Sequence, residues 1–116
     1  MLRLLNTLGC LAMLGFAGVQ YNDPDWWVWA FYYAVPAFWA FMAGYRRRVF
    51  QSVQWLGWLW ASIAGWAGLV WYYWPKVPNF WRSAVWLNEE TAREGMGLMV
   101  AFGVLLVALF TAYRKR

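Results

Sequence analysis

The sequence contains no histidine and a single cysteine, Cys10. One chain therefore cannot form an internal disulfide, a Cys/His zinc site or a histidine-ligated haem, and it has no imidazole for proton transfer. We expect no metal centre of these kinds and no bound cofactor. Any chemistry must come from carboxylates, hydroxyls and the basic residues.

Charged residues are also scarce. They make up 13% of the 116 residues while apolar residues make up 64%, whereas a typical soluble domain has about 25% charged residues. A helix that crosses the hydrocarbon core of a bilayer needs about 20 residues with few or no charges. Four uncharged stretches approach or exceed that length: residues 4–22, 26–45, 49–75 and 95–113. The composition therefore indicates an integral membrane protein.

These stretches predict an all-α fold, an integral membrane four-helix bundle. We place the helices at about 3–20, 25–45, 51–74 and 92–113, in a single domain that spans the whole chain, residues 1–116. The long connection between the third and fourth helices is aromatic-rich and should lie flat in the outer interface. The first stretch, with Arg3 before its apolar run, also has features of a signal peptide, but we interpret it as the first helix.

The basic residues predict the orientation. If the helices alternate in direction, seven basic residues fall on one side: Arg3, Arg46, Arg47, Arg48, Arg114, Lys115 and Arg116. Three fall on the other side: Lys76, Arg82 and Arg93. Short loops rich in Lys and Arg stay in the cytoplasm. We therefore predict a multi-pass protein of a bacterial inner membrane or a plasma membrane, with both termini cytoplasmic.

The net charge of +5 could suggest a nucleic-acid ligand. However, the basic residues form short clusters beside apolar runs instead of covering one soluble face, so they are better explained as topology signals. The expected partners are membrane lipid and another membrane protein or a second copy of the chain, and nucleic acid is not expected.

All five acidic residues fall on the outer side, in two segments that each begin a helix. Each segment can be explained by helix capping, since Asn, Asp and Thr favour N-caps and carboxylates favour the positive helix end. However, both caps open on the same face of one small bundle, and Arg93 could pair there with Asp23. The predicted binding or structural cluster comprises Gln20, Asn22, Asp23, Asp25, Glu90, Arg93 and Glu94.

Tryptophan is abundant, with 12 residues. The predicted aromatic rim of the outer face consists of Trp26, Trp27, Trp81 and Trp86, and Trp29, Trp71 and Trp74 should lie at the same level. Rings of Trp commonly form an interfacial belt, and a stacking platform for a ligand is the alternative. Small residues four apart should allow close helix contacts: Ala30/Ala34, Ala40/Gly44, Ala61/Gly65, Ala64/Gly68 and Gly97/Ala101.

Several functions are compatible with these patterns. The first is a non-catalytic accessory or binding module that docks to a larger membrane complex or to lipid through its outer carboxylate and Trp-rich face. The alternative is a membrane-embedded enzyme that uses Asp and Glu residues on a lipid-linked substrate at the outer interface. Oxygen ligands in the cluster could also bind a calcium-like cation. A channel or transporter is disfavoured because the charged residues lie only at the ends of the predicted helices and none lies within the four uncharged stretches.

Two strings resemble a known family. The first runs from Val19 to Asp25, contains Asn-Asp-Pro-Asp and is followed by Trp29, Tyr33 and Pro36. The second runs from Glu89 to Leu98 and reads Glu-Glu-x-x-Arg-Glu-x-x-Gly-Leu. Together they resemble the transmembrane protein 220 family over nearly the whole chain. The resemblance implies a small multi-helix membrane protein and marks these residues without naming an activity.

Overall fold

A computed structural model of the chain describes residues 2–18, 26–74 and 90–114, with side chains of the last range from residue 94 onward. Its helices are α1 (Leu2–Gly18), α2 (Trp26–Tyr45), a 3-10 helix (Arg47–Gln51), α3 (Val53–Tyr72) and α4 (Glu90–Tyr113). The described part of the chain is all-α, and every α-helix begins and ends within two residues of its predicted position.

Successive α-helices run in opposite directions. Asn6, near the start of α1, contacts Thr111 near the end of α4, and Phe16 in the last turns of α1 packs against Tyr33 in α2. We call the end that holds the beginnings of α2 and α4 the aromatic end. The opposite end, where α2 and α4 finish beside Arg47, is the basic end. α4 packs against each of the other three helices.

A buried stripe explains the position of α4. Leu98, Ala101, Leu105 and Ala108 are all completely inaccessible to solvent. Their separations of three, four and three residues place them along one side of a helix. Alternating Leu with Ala along this stripe allows close helix approach while still filling the core.

α2 contacts its two neighbours in different ways. Against α1 it presents buried Ala40 and then Gly44, where a Cβ would lie 3.4 Å from the Cβ of Asn6, so the backbones approach closely. α2 and α3, in contrast, do not pack closely along their length. Aromatic side chains fill the space between them, for example Trp39 and Trp55, whose ring centroids are 6.1 Å apart.

The small residues of α3 are a correction to the sequence interpretation. Ala61, Ala64, Gly65 and Gly68 are exposed, and a Cβ added at Gly65 or Gly68 would meet nothing within 4 Å. The expected close packing therefore occurs at Ala40/Gly44 and Gly97/Ala101 but not on α3. The reason is that α3 turns its larger residues, Leu59, Ile63 and Trp66, toward the core.

Hydropathy distinguishes the helices. The segment Glu94–Tyr113 is long and apolar enough to cross a membrane, while α1 is apolar but has 17 residues. α2 and α3 have 20 residues each, but their many Trp and Tyr side chains lower their hydropathy because these rings carry polar groups. One described helix thus meets the criteria for a membrane span, and the other three predicted spans stay predictions.

Candidate functional site at the aromatic end

Part of the predicted outer cluster can be located. Glu94 is half-buried in the second turn of α4, and Trp26 and Trp27 are exposed at the start of α2. The side chains of Glu90 and Arg93 lie outside the described residues, as do Gln20, Asn22, Asp23, Asp25, Trp81 and Trp86. The predicted Asp23 to Arg93 ion pair therefore stays a prediction.

Four aromatic residues form a cluster beneath this end: Trp29, Tyr32, Tyr33 and Tyr73. The Trp29 ring centroid lies 5.1 Å from that of Tyr32, 6.1 Å from that of Tyr33 and 5.0 Å from that of Tyr73. Two of these pairs are edge-to-face, a favourable geometry for aromatic rings. The cluster joins the start of α2 to the end of α3.

Glu94 belongs to the same region. It lies three residues before Gly97, the position at which Tyr33 of α2 packs against α4. Tyr73 follows the last residue of α3 and forms a hydrogen bond with Tyr32. These contacts place Glu94 at the same end of the bundle as the aromatic cluster.

Gly97 allows this arrangement. A Cβ at this position would collide with the Tyr33 hydroxyl and would lie 3.2 Å from its Cζ atom. Gly97 is one turn after Glu94 on the same face of α4. The absence of a side chain therefore lets α2 approach α4 with Tyr33 between them. The described contact between α2 and this face of α4 is made by Tyr33.

Trp29 differs from the other tryptophans predicted at this level. Its side chain is only 2% exposed and lies at the centre of the cluster. The exposed tryptophans at this end are Trp26, Trp27, Trp71 and Trp74, and Trp71 is 84% exposed. Tryptophan therefore has two roles here, since one residue packs inside the bundle and four cover its outer edge.

A spacing in the sequence marks the inner residues. Trp29, Tyr32, Tyr33 and Pro36 follow one another at i, i+3, i+4 and i+7, which is the pattern of one helix face. The sequence alone does not distinguish this buried face from an interfacial belt, because Trp and Tyr are common in both. Tyr73 carries no such signal, since only the tertiary fold brings the end of α3 beside α2.

The described residues contain no group of three Cys, Asp or Glu side chains arranged to hold a metal ion. Most of the predicted oxygen ligands lie outside those residues, so a calcium-like site at the outer cluster stays a prediction.

Comparison with known protein families identifies the family of this chain. The family described as "Transmembrane family 220, helix" matches residues 12–110. The chain belongs to transmembrane family 220. The match covers both motifs and the aromatic cluster between them. Together with the long apolar segment of α4, it indicates that the chain is a membrane protein. No curated protein and no solved structure matches the chain.

Proposed function

We propose that the protein is a non-catalytic binding module of the membrane that docks another membrane component through its aromatic end. In this proposal all four α-helices cross the bilayer, both termini are cytoplasmic, and the aromatic end with its carboxylates faces outward. The charge distribution of the loops supports the orientation.

The observation that carries the proposal is the layering of the aromatic end. Exposed Trp26, Trp27 and Trp71 lie at the same end of the bundle as the buried cluster centred on Trp29. A rigid base reduces the entropy that exposed side chains lose on binding, and Trp is enriched among residues that dominate interface energies. Tryptophans that only form an interfacial belt would not need a buried aromatic cluster at the same end.

The charge of this end favours a polar component in the partner. Glu94 is half-buried at this end, Glu89 and Glu90 lie close to it in sequence, and Asp23 and Asp25 shortly precede α2 in the sequence. A partner with a basic or hydrogen-bond-donating rim around an apolar centre would be complementary. A loop of another membrane protein has that chemistry, and so does a lipid with a cationic headgroup.

Site-specific photo-crosslinking tests the proposal. Benzoylphenylalanine is placed at Trp27 or Trp71, and in a control at Trp58, which is 68% exposed but lies near the basic end of α3. Irradiation of native membranes should give a discrete protein adduct at the first two positions and none at Trp58. Adducts of equal yield at all three positions, whether with protein or with lipid, would contradict docking through the aromatic end. Lipid adducts confined to Trp27 and Trp71 would assign the partner to lipid.

Glu90→Gln and Asp25→Asn provide a second readout. Each should leave the protein folded and reduce the yield of the adduct formed at Trp27, because the substitution removes charge from the binding face. An unchanged yield in both variants would exclude the carboxylates from the interface.

A second function has one observation in its favour. Glu94 lies one turn before Gly97, where the Tyr33 hydroxyl packs against α4, and a carboxylate near a phenol can transfer protons. If the purified protein alone converted a lipid-linked substrate and Glu94→Gln abolished that turnover without unfolding it, the protein would be an enzyme. In that case the crosslinked partner should be dispensable for turnover.

A further inference from the structure

A cavity of about 230 Å³ opens at the basic end, far from the proposed docking face. Its lining residues are Arg47, Phe50, Gln51, Ala112 and Arg114. They come from the 3-10 helix and from the end of α4, two elements that are distant in sequence. The fold therefore brings two guanidinium groups and an amide together with an apolar wall.

A buried side chain and a backbone hydrogen bond fix the position of the 3-10 helix. Phe50 is buried, and the amide of Ser52 donates a hydrogen bond of 3.1 Å to the carbonyl of Val49. Arg47 and Gln51 are four residues apart on this anchored turn. Arg114 follows α4, where its amide bonds to the carbonyl of Thr111 at 3.3 Å. Both sides of the cavity are thus attached to the core.

The electrostatics of the cavity favour an anion. Glu94, the acidic residue whose side chain the structure describes, is 20 residues before Arg114, which is about 30 Å along the axis of α4. Its carboxylate is therefore too distant to neutralise Arg47 and Arg114, and guanidinium groups bind phosphate oxygens through paired hydrogen bonds.

Arg3 behaves differently at the same end. Its Nε donates to the carbonyl of Gly44 at 3.2 Å, and its guanidinium lies 4.6 Å from the ring centroid of Tyr45. That arginine joins α1 to α2. Arg47 and Arg114 instead line the cavity.

We infer that this cavity binds the phosphate-bearing headgroup of an anionic phospholipid, through Arg47, Gln51 and Arg114. Pockets for complete small-molecule ligands have volumes of roughly 300–1,000 Å³, so the smaller cavity suits a headgroup whose acyl chains remain in the bilayer. Phe50 and Ala112 supply an apolar wall that a free phosphate ion would not need. Basic pockets between helices at the cytoplasmic surface commonly hold anionic headgroups.

One simpler explanation must be separated from this inference. α2 and α4 both end here, and helix C-termini favour cations and disfavour anions. The arginines could therefore serve only to stabilise the helix ends. In that case their removal would weaken the fold equally in every lipid, whereas the loss of a headgroup site is specific to anionic lipid.

Native mass spectrometry of the full-length protein in detergent tests the inference, with phosphatidylglycerol and phosphatidylcholine titrated separately. Arg47→Ala/Arg114→Ala should weaken phosphatidylglycerol binding by about fivefold for each arginine, or roughly 25-fold in total. Phosphatidylcholine binding should not change. The matched control is Arg46→Ala/Arg48→Ala, which removes the same charge from exposed neighbours that do not line this cavity.

Equal losses in the two double variants would overturn the inference, because they would indicate general surface attraction. Displacement of phosphatidylglycerol by an equal concentration of inorganic phosphate would assign the cavity to a soluble anion and also overturn it. If the arginine variant does not fold, Gln51→Leu replaces an exposed uncharged residue and should lower only the affinity for phosphatidylglycerol. Unchanged affinity in that folded variant would exclude the cavity.

Discussion

The indole of Trp66 donates a hydrogen bond of 2.9 Å to the backbone carbonyl of Tyr32. In a regular helix this carbonyl would accept from the amide of residue 36, but Pro36 has no N–H group. Trp66 in α3 therefore satisfies an acceptor that proline leaves free in the middle of α2. An unsatisfied carbonyl is costly where water is absent, and neighbouring side chains allow proline inside membrane helices in this way.

Trp66→Phe should lower stability by about 1–3 kcal/mol, because the Tyr32 carbonyl loses its donor and the smaller ring packs less well. Pro36→Ala restores a backbone amide that can reach the same carbonyl. The double variant should therefore be less destabilised than the sum of the single variants. Thermal unfolding in detergent measures this cycle, and strictly additive shifts in Tm would show that Pro36 and Trp66 are not coupled.

Gly97→Ala should destabilise the bundle by about 1–3 kcal/mol, because the new methyl group collides with the Tyr33 hydroxyl and α2 must move away from α4. Tyr33→Phe in the same chain should recover part of the loss. Gly103→Ala on the same helix is the matched control, since a Cβ there meets nothing within 4 Å. Ala is the better helix former by about 1 kcal/mol, so the control should be neutral or stabilising. Equal losses at both glycines would contradict the close approach.

Asn6 and Thr111 form a buried polar pair at the basic end. Asn6 Nδ2 donates to Thr111 Oγ1 at 2.8 Å, while the Oδ1 atom of Asn6 is buried without a partner among the described residues. Thr111→Val should cost about 0.5–2 kcal/mol because the amide loses an acceptor. Asn6→Leu/Thr111→Val should recover most of that loss, since it also removes the unsatisfied oxygen. A double variant less stable than Thr111→Val, measured by thermal unfolding, would contradict this.

The orientation can be tested with alkaline phosphatase fusions, which are active only outside the cytoplasm. A fusion after Asn79 should be active, and fusions after Arg48 or Arg116 should be inactive, because seven of ten basic residues lie on the side of the latter two. Expression is checked by immunoblotting. Activity after Arg116 would refute the four-span arrangement.

Helix positions were predictable because the uncharged stretches had nearly the length of the observed helices. The candidate site was predictable only in part. Glu94 and the exposed pair Trp26 and Trp27 follow from charge and aromatic patterns, since such groups favour helix starts and interfaces. The cluster of Trp29, Tyr32, Tyr33 and Tyr73 does not follow, because its residues come from different helices and their contact depends on the rotation of each helix.

The amino-acid sequence by itself determined the all-α fold, the approximate helix boundaries and the membrane class, since these depend on hydropathy and charge along the chain. Only the tertiary structure decided which faces meet. Five small-residue pairs offered close contacts, but contact requires a complementary surface on the neighbouring helix. Gly97 packs against Tyr33, and Gly44 packs against Asn6. The face of α3 that carries the small residues is exposed instead, because the rings of Trp39 and Trp55 separate α3 from α2.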